Sequence, residues 1–343
     1  VIAAEAIVAR ALGSRFTAAA LRVERGGRAI YERAFGALDD APDARATEVT
    51  TAFDLASLTK IFVSTAALGA VTSGALTLDG SLAPYVPEWS GTPHAAITLR
   101  MLLAHRSGMA SGADYRTLFT EDVERFARTR PLVDAPGSRV IYSDLGFITL
   151  GTVLARAHGR SLQSIIGDTC TRLACEQTRY RPRNDRPWFV PATESDAWRG
   201  RVRGAVHDEK AYLMNGIAGH AGLFGTAADV ARLAEAYLGP LHGRASSALA
   251  PELARDAVRE HGPDPVLRRG LGWALKTSDE NSCGARMSAQ TFGHTGFTGT
   301  VVWADPVRDL SVVLLTNAVY FGRNDLRDVR AAVCDAVVES VAA

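Results

Sequence analysis

One run in the chain lacks a polar face. Residues 61–71, Ile-Phe-Val-Ser-Thr-Ala-Ala-Leu-Gly-Ala-Val, are apolar almost all round, which predicts a buried helix. That helix begins near Ser57. Upstream, residues 1–12 read as an amphipathic helix carrying Glu5 and Arg10. Residues 17–23 alternate weakly, Gly26-Gly27 follows, and residues 28–35 complete a hairpin signal. From about residue 61 to 260 the pattern is mostly helical. Residues 76–85 show turn chemistry around Asp79-Gly80, and residues 97–105 predict a short amphipathic helix that stops at Ser107-Gly108. Residues 147–157 predict a helix closed by Gly159, and residues 227–238 one with Pro240 just past its end. Residues 179–203 read as a long loop. Strand signals return at residues 271–275, 299–303 and 310–316, and residues 325–341 predict a closing helix.

Strands at both ends with helices between them predict an α+β fold in which residues 1–60 and 261–343 build one sheet. Residues 61–260 would form an inserted, mostly helical lobe, with the active site at the junction.

Composition narrows the function classes. The net charge of +1 on 343 residues offers no electrostatic case for nucleic acid. No apolar run approaches a membrane span. Cys170, Cys175, Cys283 and Cys334 are too few for a disulfide scaffold and lack metal spacing; Cys170 and Cys175 could pair, but buried free thiols fit better. The chain opens at Val1 without a signal-peptide pattern, so the expected setting is cytoplasmic, or exported with the leader already removed.

The candidate chemistry starts at Phe53-Asp54-Leu55-Ala56-Ser57-Leu58-Thr59-Lys60. Residues three apart share a helix face, which sets Lys60 beside the Ser57 hydroxyl. An apolar helix desolvates the ammonium and favours its neutral, basic form. Ser-x-x-Lys alone is a weak signal. The chain strengthens it by having 35 Arg but three Lys, Lys60, Lys210 and Lys276; a lysine inside the apolar helix suggests a cation that can give up its proton, which Arg cannot. Two further constellations follow. Val140-Ile141-Tyr142-Ser143-Asp144-Leu145 precedes a helix, where Ser143 or Asp144 could serve simply as a cap. Phe292-Gly293-His294-Thr295-Gly296-Phe297-Thr298-Gly299 leads into a strand and could be a glycine-rich edge with a structural histidine.

Ser-x-x-Lys, then Tyr-Ser-x, then a basic residue with Thr-Gly, occur in the order seen in the penicillin-recognising serine enzymes. The sequence resembles the class C β-lactamase, D,D-peptidase and esterase superfamily over most of its length. Leu102-Leu103-Ala104-His105-Arg106-Ser107-Gly108 is similar to that family's Leu-Leu-x-His-x-Ser-Gly element. Gly219-His220-Ala221-Gly222 and Phe292-Gly293-His294-Thr295-Gly296 resemble the penicillin-binding protein 4B-like subgroup. The resemblance implies a β-lactamase/transpeptidase-like fold with an antiparallel sheet. It implies Ser57 as nucleophile, with Lys60 and Tyr142 sharing general-base and proton-shuttle work. Backbone N–H groups of Ser57 and Phe297 would form the oxyanion hole. Asp144, His294, Thr295 and Gly296 would bind substrate, and Gly296 and Gly299 would let it lie along the strand edge. Two positions depart from the pattern. Asp144 stands where classical members have Asn, and could pair with Lys60. His294 replaces a lysine, and its part-time charge near neutral pH gives a weaker hold on a substrate carboxylate.

Other features carry less. His207-Asp208-Glu209 and His220 fit no helical zinc pattern, so no metal and no cofactor is expected. His105 reads as a satisfied structural histidine. Arg179, Arg181, Arg183, Arg186, Arg199, Arg201 and Arg203, interleaved with Tyr180, Trp188 and Trp198, form either a solvated loop or a rim selecting an anionic or aromatic acyl acceptor. The expected activity is serine-dependent hydrolysis of a small or peptide-like ester or amide. The alternatives are a biosynthetic transacylase, a weak β-lactamase, a binding or sensing module without turnover, and a structural protein.

Overall fold

The computed structural model describes residues 1–182, 189–264, 266–278 and 281–342. Arg183, Arg186 and Trp188 of the Arg-rich loop lie outside the described residues. The chain begins with α1 (Ile2–Ala11) and the hairpin of β1 (Ala18–Arg25) and β2 (Arg28–Gly36). Next, β3 (Phe53–Asp54) leads through a 3₁₀ turn, Ala56–Leu58, into α2 (Thr59–Thr72). The helices α3 (Leu99–Leu103), α4 (Val123–Thr129), α5 (Asp144–His158) and α6 (Leu162–Arg172) follow. A mixed stretch holds β4 (Arg179–Tyr180), the small hairpin β5 (Ser195–Asp196) and β6 (Gly200–Arg201), α7 (Glu209–Leu213), β7 (Leu223–Gly225), α8 (Ala227–Leu241) and α9 (Pro251–Ala257). The final run is β8 (Ala274–Leu275), β9 (Phe292–Thr295), β10 (Val301–Asp305), β11 (Leu310–Thr316) and α10 (Arg327–Ala342).

The architecture is α+β. An antiparallel sheet in the order β2-β1-β11-β10-β9-β8 joins strands from the two ends of the sequence. The β1–β11 pair makes the join, with Ala19 opposite Thr316 and Arg25 opposite Leu310. Alternate residues of these strands serve two cores. Leu21, Val23, Val312 and Leu314 join Val8 of α1 and Val333 and Val337 of α10. Ala18, Ala20, Val313 and Leu315 join Leu233 and Tyr237 of α8 on the other face. Helices cover both faces, so β11 is buried at every position and reads as a continuous apolar run. The second core continues without a break into α2, α5 and α6. No helix among the described residues is long and apolar enough to cross a membrane.

Several boundaries differ from the sequence expectation. The strand expected at 271–275 shrinks to Ala274–Leu275. Leu271 N–H and Gly272 N–H donate to Ala257 O and Leu103 O, so they are unavailable to a strand partner. The strand expected at 299–303 becomes Val301–Asp305, because Gly299, at φ +108°, still belongs to the preceding turn. Pro240 lies inside the last turn of α8, where its missing N–H forfeits a single helical bond. Within the expected long loop, Arg179–Tyr180 and the β5–β6 hairpin form β structure. All four cysteines are free and buried.

Leu314 is 1% exposed at the centre of the sheet. Leu314→Ala should cost about 2–5 kcal/mol of folding stability, the range for a buried leucine truncation. A urea midpoint unchanged from the parent would contradict its place in this core.

Candidate active site

The nucleophile candidate sits at a forced turn. Ala56 has φ +46°, a left-handed conformation that costs an L-residue about 1–2 kcal/mol. The buried Asp54 holds it: Ala56 N–H donates to Asp54 Oδ1 at 2.9 Å and His207 N–H donates to Oδ2 at 2.7 Å. The turn leaves Ser57 in the first 3₁₀ turn before α2, where backbone N–H groups lack helical acceptors.

Lys60 follows one turn later and has no exposed side-chain surface. Its Nζ donates to Ser57 Oγ at 3.0 Å and to His220 O at 3.0 Å, and pairs with Asp144 Oδ1 at 2.9 Å. Burial pulls its pKa down, but the Asp144 carboxylate, followed by Tyr142, outweighs burial and raises the value above that of a free lysine. Lys60 is therefore an ammonium, not the neutral amine expected of an apolar helix. Asp144 in turn is held below the usual carboxylate range, because Lys60, with His220 and Lys210, overcomes the opposing effect of its own burial.

Tyr142 is fixed by the Leu-Leu-x-His-x-Ser-Gly element. Ile141 N–H donates to His105 O, Ser143 N–H donates to His105 Nδ1 at 3.0 Å, and Ser143 Oγ–H donates to Ala110 O at 2.6 Å. Ser143 also caps α5 by accepting from Gly146 N–H. The His105 ring lies 4.5 Å from that of Tyr142, and burial holds its pKa well below the ordinary imidazole value. His105 Nε2 is buried without a partner among the described residues, so this histidine is half satisfied. Lys60 Nζ lies 4.9 Å from the Tyr142 ring centre, and Arg269 Cζ lies 5.2 Å from it.

The third constellation is β9 itself and the turn after it. Thr298 Oγ1 donates to Asp54 O at 2.7 Å and Thr300 Oγ1 to Leu55 O at 3.1 Å, tying this turn to the residues before Ser57. A Cβ on Gly296 would lie 2.0 Å from Thr300 Oγ1 and 2.7 Å from Leu55 O. One on Gly299 would lie 2.1 Å from Thr316 Oγ1. Close packing inside the protein requires these glycines, and both also stand on the cavity wall. Phe297 is 57% exposed, with its ring between His207 at 5.8 Å and the Arg323 guanidinium at 5.7 Å. Its N–H carries no hydrogen bond among the described residues.

His294 Nδ1–H donates to Thr295 O at 2.8 Å, leaving Nε2 as a buried acceptor without a partner among the described residues. Burial, then Arg269 and Lys60, push its pKa well below 6.5. The part-time cation expected at this position is thus a neutral ring. A cavity of about 870 Å³ is lined by Ser57, Tyr142, Arg269, His294, Thr295 and Phe297, among others. Gly296 is also on its wall, whereas Asp144 is not.

Comparison with known proteins places this arrangement. The profile of the family described as "Beta-lactamase" matches residues 4–335. The chain belongs to the Beta-lactamase family. It is 32% identical over 344 residues to a "Putative D-alanyl-D-alanine carboxypeptidase" of Escherichia coli (strain K12), covering 87% of this chain and 77% of that protein. It is 29% identical over 351 residues to an "N-acetylmuramyl-L-alanine amidase" of Bacillus subtilis (strain 168), covering 91% and 79%. The solved structure of EstCE1, a hydrolase with promiscuous acyltransferase activity, shares the fold at a TM-score of 0.78, with 22% identity, 97% of this chain and 98% of that one. The protein is a serine hydrolase of this β-lactamase-related family.

In this Beta-lactamase family member, sequence reasoning passed over part of the charge network. Lys210 Nζ lies 3.3 Å from Asp144 Oδ2 and 3.1 Å from Asp208 Oδ2, and His220 Nε2 lies 2.8 Å from Asp208 Oδ1. The rarity of lysine that drew attention to Lys60 marked Lys210 equally. Asp144, Asp208 and His220 bring potential metal-donor atoms within 4.8 Å of one another. Two ammonium groups already neutralise these carboxylates, and a divalent ion would have to displace them. Arg269 had no distinguishing signal among 35 arginines.

Asp144→Asn should leave two buried cations under-compensated, at a cost of about 3–5 kcal/mol. Because the Asp144 pKa is depressed, its stabilisation is present above the ordinary aspartate value and lost as pH falls through the depressed one. Because the Lys60 pKa is raised, its share is present below the ordinary lysine value and lost as pH rises through the raised one. Urea midpoints measured across pH should fall at both extremes in the parent and less steeply in the variant. Parallel curves would contradict the pair.

Proposed function

We propose that this enzyme forms an acyl-ester on Ser57 and passes the acyl group to water, cleaving an ester or amide as D,D-peptidases and esterases do. The observation that carries this reading is the 3.0 Å contact between Ser57 Oγ, on the wall of the cavity, and the charged, fully buried Lys60 behind it. A retained ammonium stabilises negative charge on the serine oxygen. Tyr142 takes the serine proton while giving its own to the departing oxygen or nitrogen, so no free base is consumed. The Ser57 and Phe297 N–H groups receive the oxyanion, and each such donor is worth about 2.7–4 kcal/mol of transition-state stabilisation. His294 Nε2, an unoccupied acceptor, receives a donor of the substrate.

The names of the relatives favour the carboxypeptidase kind of donor, and the motifs around His220 and His294 favour the penicillin-binding protein 4B-like subgroup. A second reading, transfer to a bound amine or alcohol, gains support from a cavity roomy enough for donor and acceptor together.

Brief incubation with p-nitrophenyl acetate, followed by intact-mass measurement, should show one acetyl adduct on the parent and none on Ser57→Ala. Steady-state ester hydrolysis should fall at least about 10³-fold in that variant. An adduct on both chains or on neither would overturn the proposal. Added D-alanine that diverts the acetyl group into N-acetyl product would favour the transfer reading.

A further inference from the structure

The ion pair between Lys60 and Asp144 is one side of a closed ring. Asp144 Oδ1 faces Lys60 Nζ at 2.9 Å, and its Oδ2 faces Lys210 Nζ at 3.3 Å. Lys210 Nζ donates to Asp208 Oδ2 at 3.1 Å. Asp208 Oδ1 accepts from His220 Nε2–H at 2.8 Å, and the His220 carbonyl accepts from Lys60 Nζ at 3.0 Å. The ring is assembled from α2, α5, the start of α7 and the segment ahead of β7. Lys210 is 9% exposed and is not among the residues of the cavity wall, so it stands behind the reacting groups.

Charge counting gives this second lysine a task. Asp144 and Asp208 bring carboxylate oxygens within 4.8 Å of each other, a spacing at which like charges resist ionising together. Burial opposes their ionisation as well. His220 and Lys210 overcome both effects at Asp208 and hold it well below the usual carboxylate range. Burial pulls the pKa of Lys210 down, but Asp208, then Asp144, more than offset this and keep it an ammonium. With Lys210 in place, two carboxylates face two ammonium groups. Without it, both would face Lys60 alone. The surplus negative charge, weakly screened in a buried site, would oppose every anionic state of the Ser57 and Tyr142 oxygens.

The other charged and titratable groups around the ring do not replace Lys210. His105 and His294, which both feel Lys60, are neutral rings. Arg269 stands at the Tyr142 ring and forms no ion pair among the described residues. His207 pairs with Glu194, and Glu209 of α7 pairs with Arg323. Asp54, on β3, adds only another carboxyl.

We infer that Lys210 is a positioning residue for the acyl transfer: its fixed charge cancels that of Asp208 and shares Asp144 with Lys60, so that the Lys60 charge stays directed at the serine and tyrosine oxygens. This rests on the acyl-enzyme reading above and adds to it a residue outside the three motifs.

The test is the pH profile of kcat/KM for p-nitrophenyl acetate, whose acid limb reports the group of the free enzyme that must lose a proton. Loss of a cation makes that proton harder to remove, so Lys210→Met should move the limb upward by about one pH unit. At a fixed pH below the limb, kcat/KM should fall about 10-fold. Lys210→Arg, which keeps the charge, should hold the limb at the parent's pH. Lys210→Met combined with Asp208→Asn removes one charge of each sign and should bring the limb back; Asn still caps α7. If Lys210→Met does not fold, Asp208→Asn alone carries the test, because it leaves a surplus cation and should move the limb downward. A parent without an acid limb overturns the inference. So does a limb that stays in place while the rate drops evenly at every pH, or one that moves as far in Lys210→Arg as in Lys210→Met. Absence of an acetyl adduct on Ser57 of the parent would instead defeat the acyl-enzyme reading itself.

Discussion

A lysine ammonium with no access to water is stable only if its surroundings do what water would have done. Around Lys60 they come from separate parts of the chain: the Ser57 hydroxyl, the His220 carbonyl, the Asp144 carboxylate and the face of Tyr142. Each places a demand on the fold. α2 must start where the Ala56 turn ends. α5 must begin at Asp144, which Ser143 ensures by capping it. The segment at Gly219-His220 must come close enough to offer a carbonyl, and a Cβ on Gly219 would lie 2.0 Å from Phe147 O. The second lysine, Lys210, then balances the second oxygen of Asp144, and Asp208 and His220 extend the alternation of charge outward.

A second constraint joins this centre to the sheet. The turn after β9 is fastened to the residues before Ser57 by two threonine hydroxyls, and it packs so closely that glycine is needed at 296 and 299. The nucleophile and the strand edge thereby belong to one rigid unit, although one starts a helix and the other ends a strand. Phe297 projects from this unit between His207 and Arg323, both of which touch Glu194. Burial of the Glu194 carboxyl is outweighed by His207 and Arg323, and its pKa falls to about 2.

The parts legible in sequence were those set by local rules. The apolar run of α2, the glycine after α5, the glycine pair of the β1–β2 hairpin and the unbroken apolar stretch of β11 each carry a short-range signature. Ser57 and Lys60 were legible through spacing and Tyr142 through the family resemblance, and the structure brings the three to one place. Properties that depend on distant neighbours were not. That Asp144 could pair with Lys60 was legible, and the two lie 2.9 Å apart, but nothing near Lys60 in sequence says that this carboxylate, 84 positions later, will outweigh burial and keep it charged. Nothing near His294 says that burial, with Arg269 and Lys60 adding to it, will keep it neutral. Strand ends slipped where backbone donors were taken by helices, as at Leu271 and Gly272.

The threonine ties of the β9 turn also bear on how the enzyme comes into being. Thr298 and Asp54 are 244 positions apart, and the Asn317 side chain that accepts from Ala18 N–H is 299 positions from it. At ~5–20 residues per second a ribosome makes Ser57 on the order of 10–50 s before Phe297. During that interval β1 and β2 have no central partner strand, and the helix bearing the serine has no lid of sheet against it. Closing contacts across so much chain is entropically slow. The site is therefore completed only when the strands after residue 291 have joined the sheet.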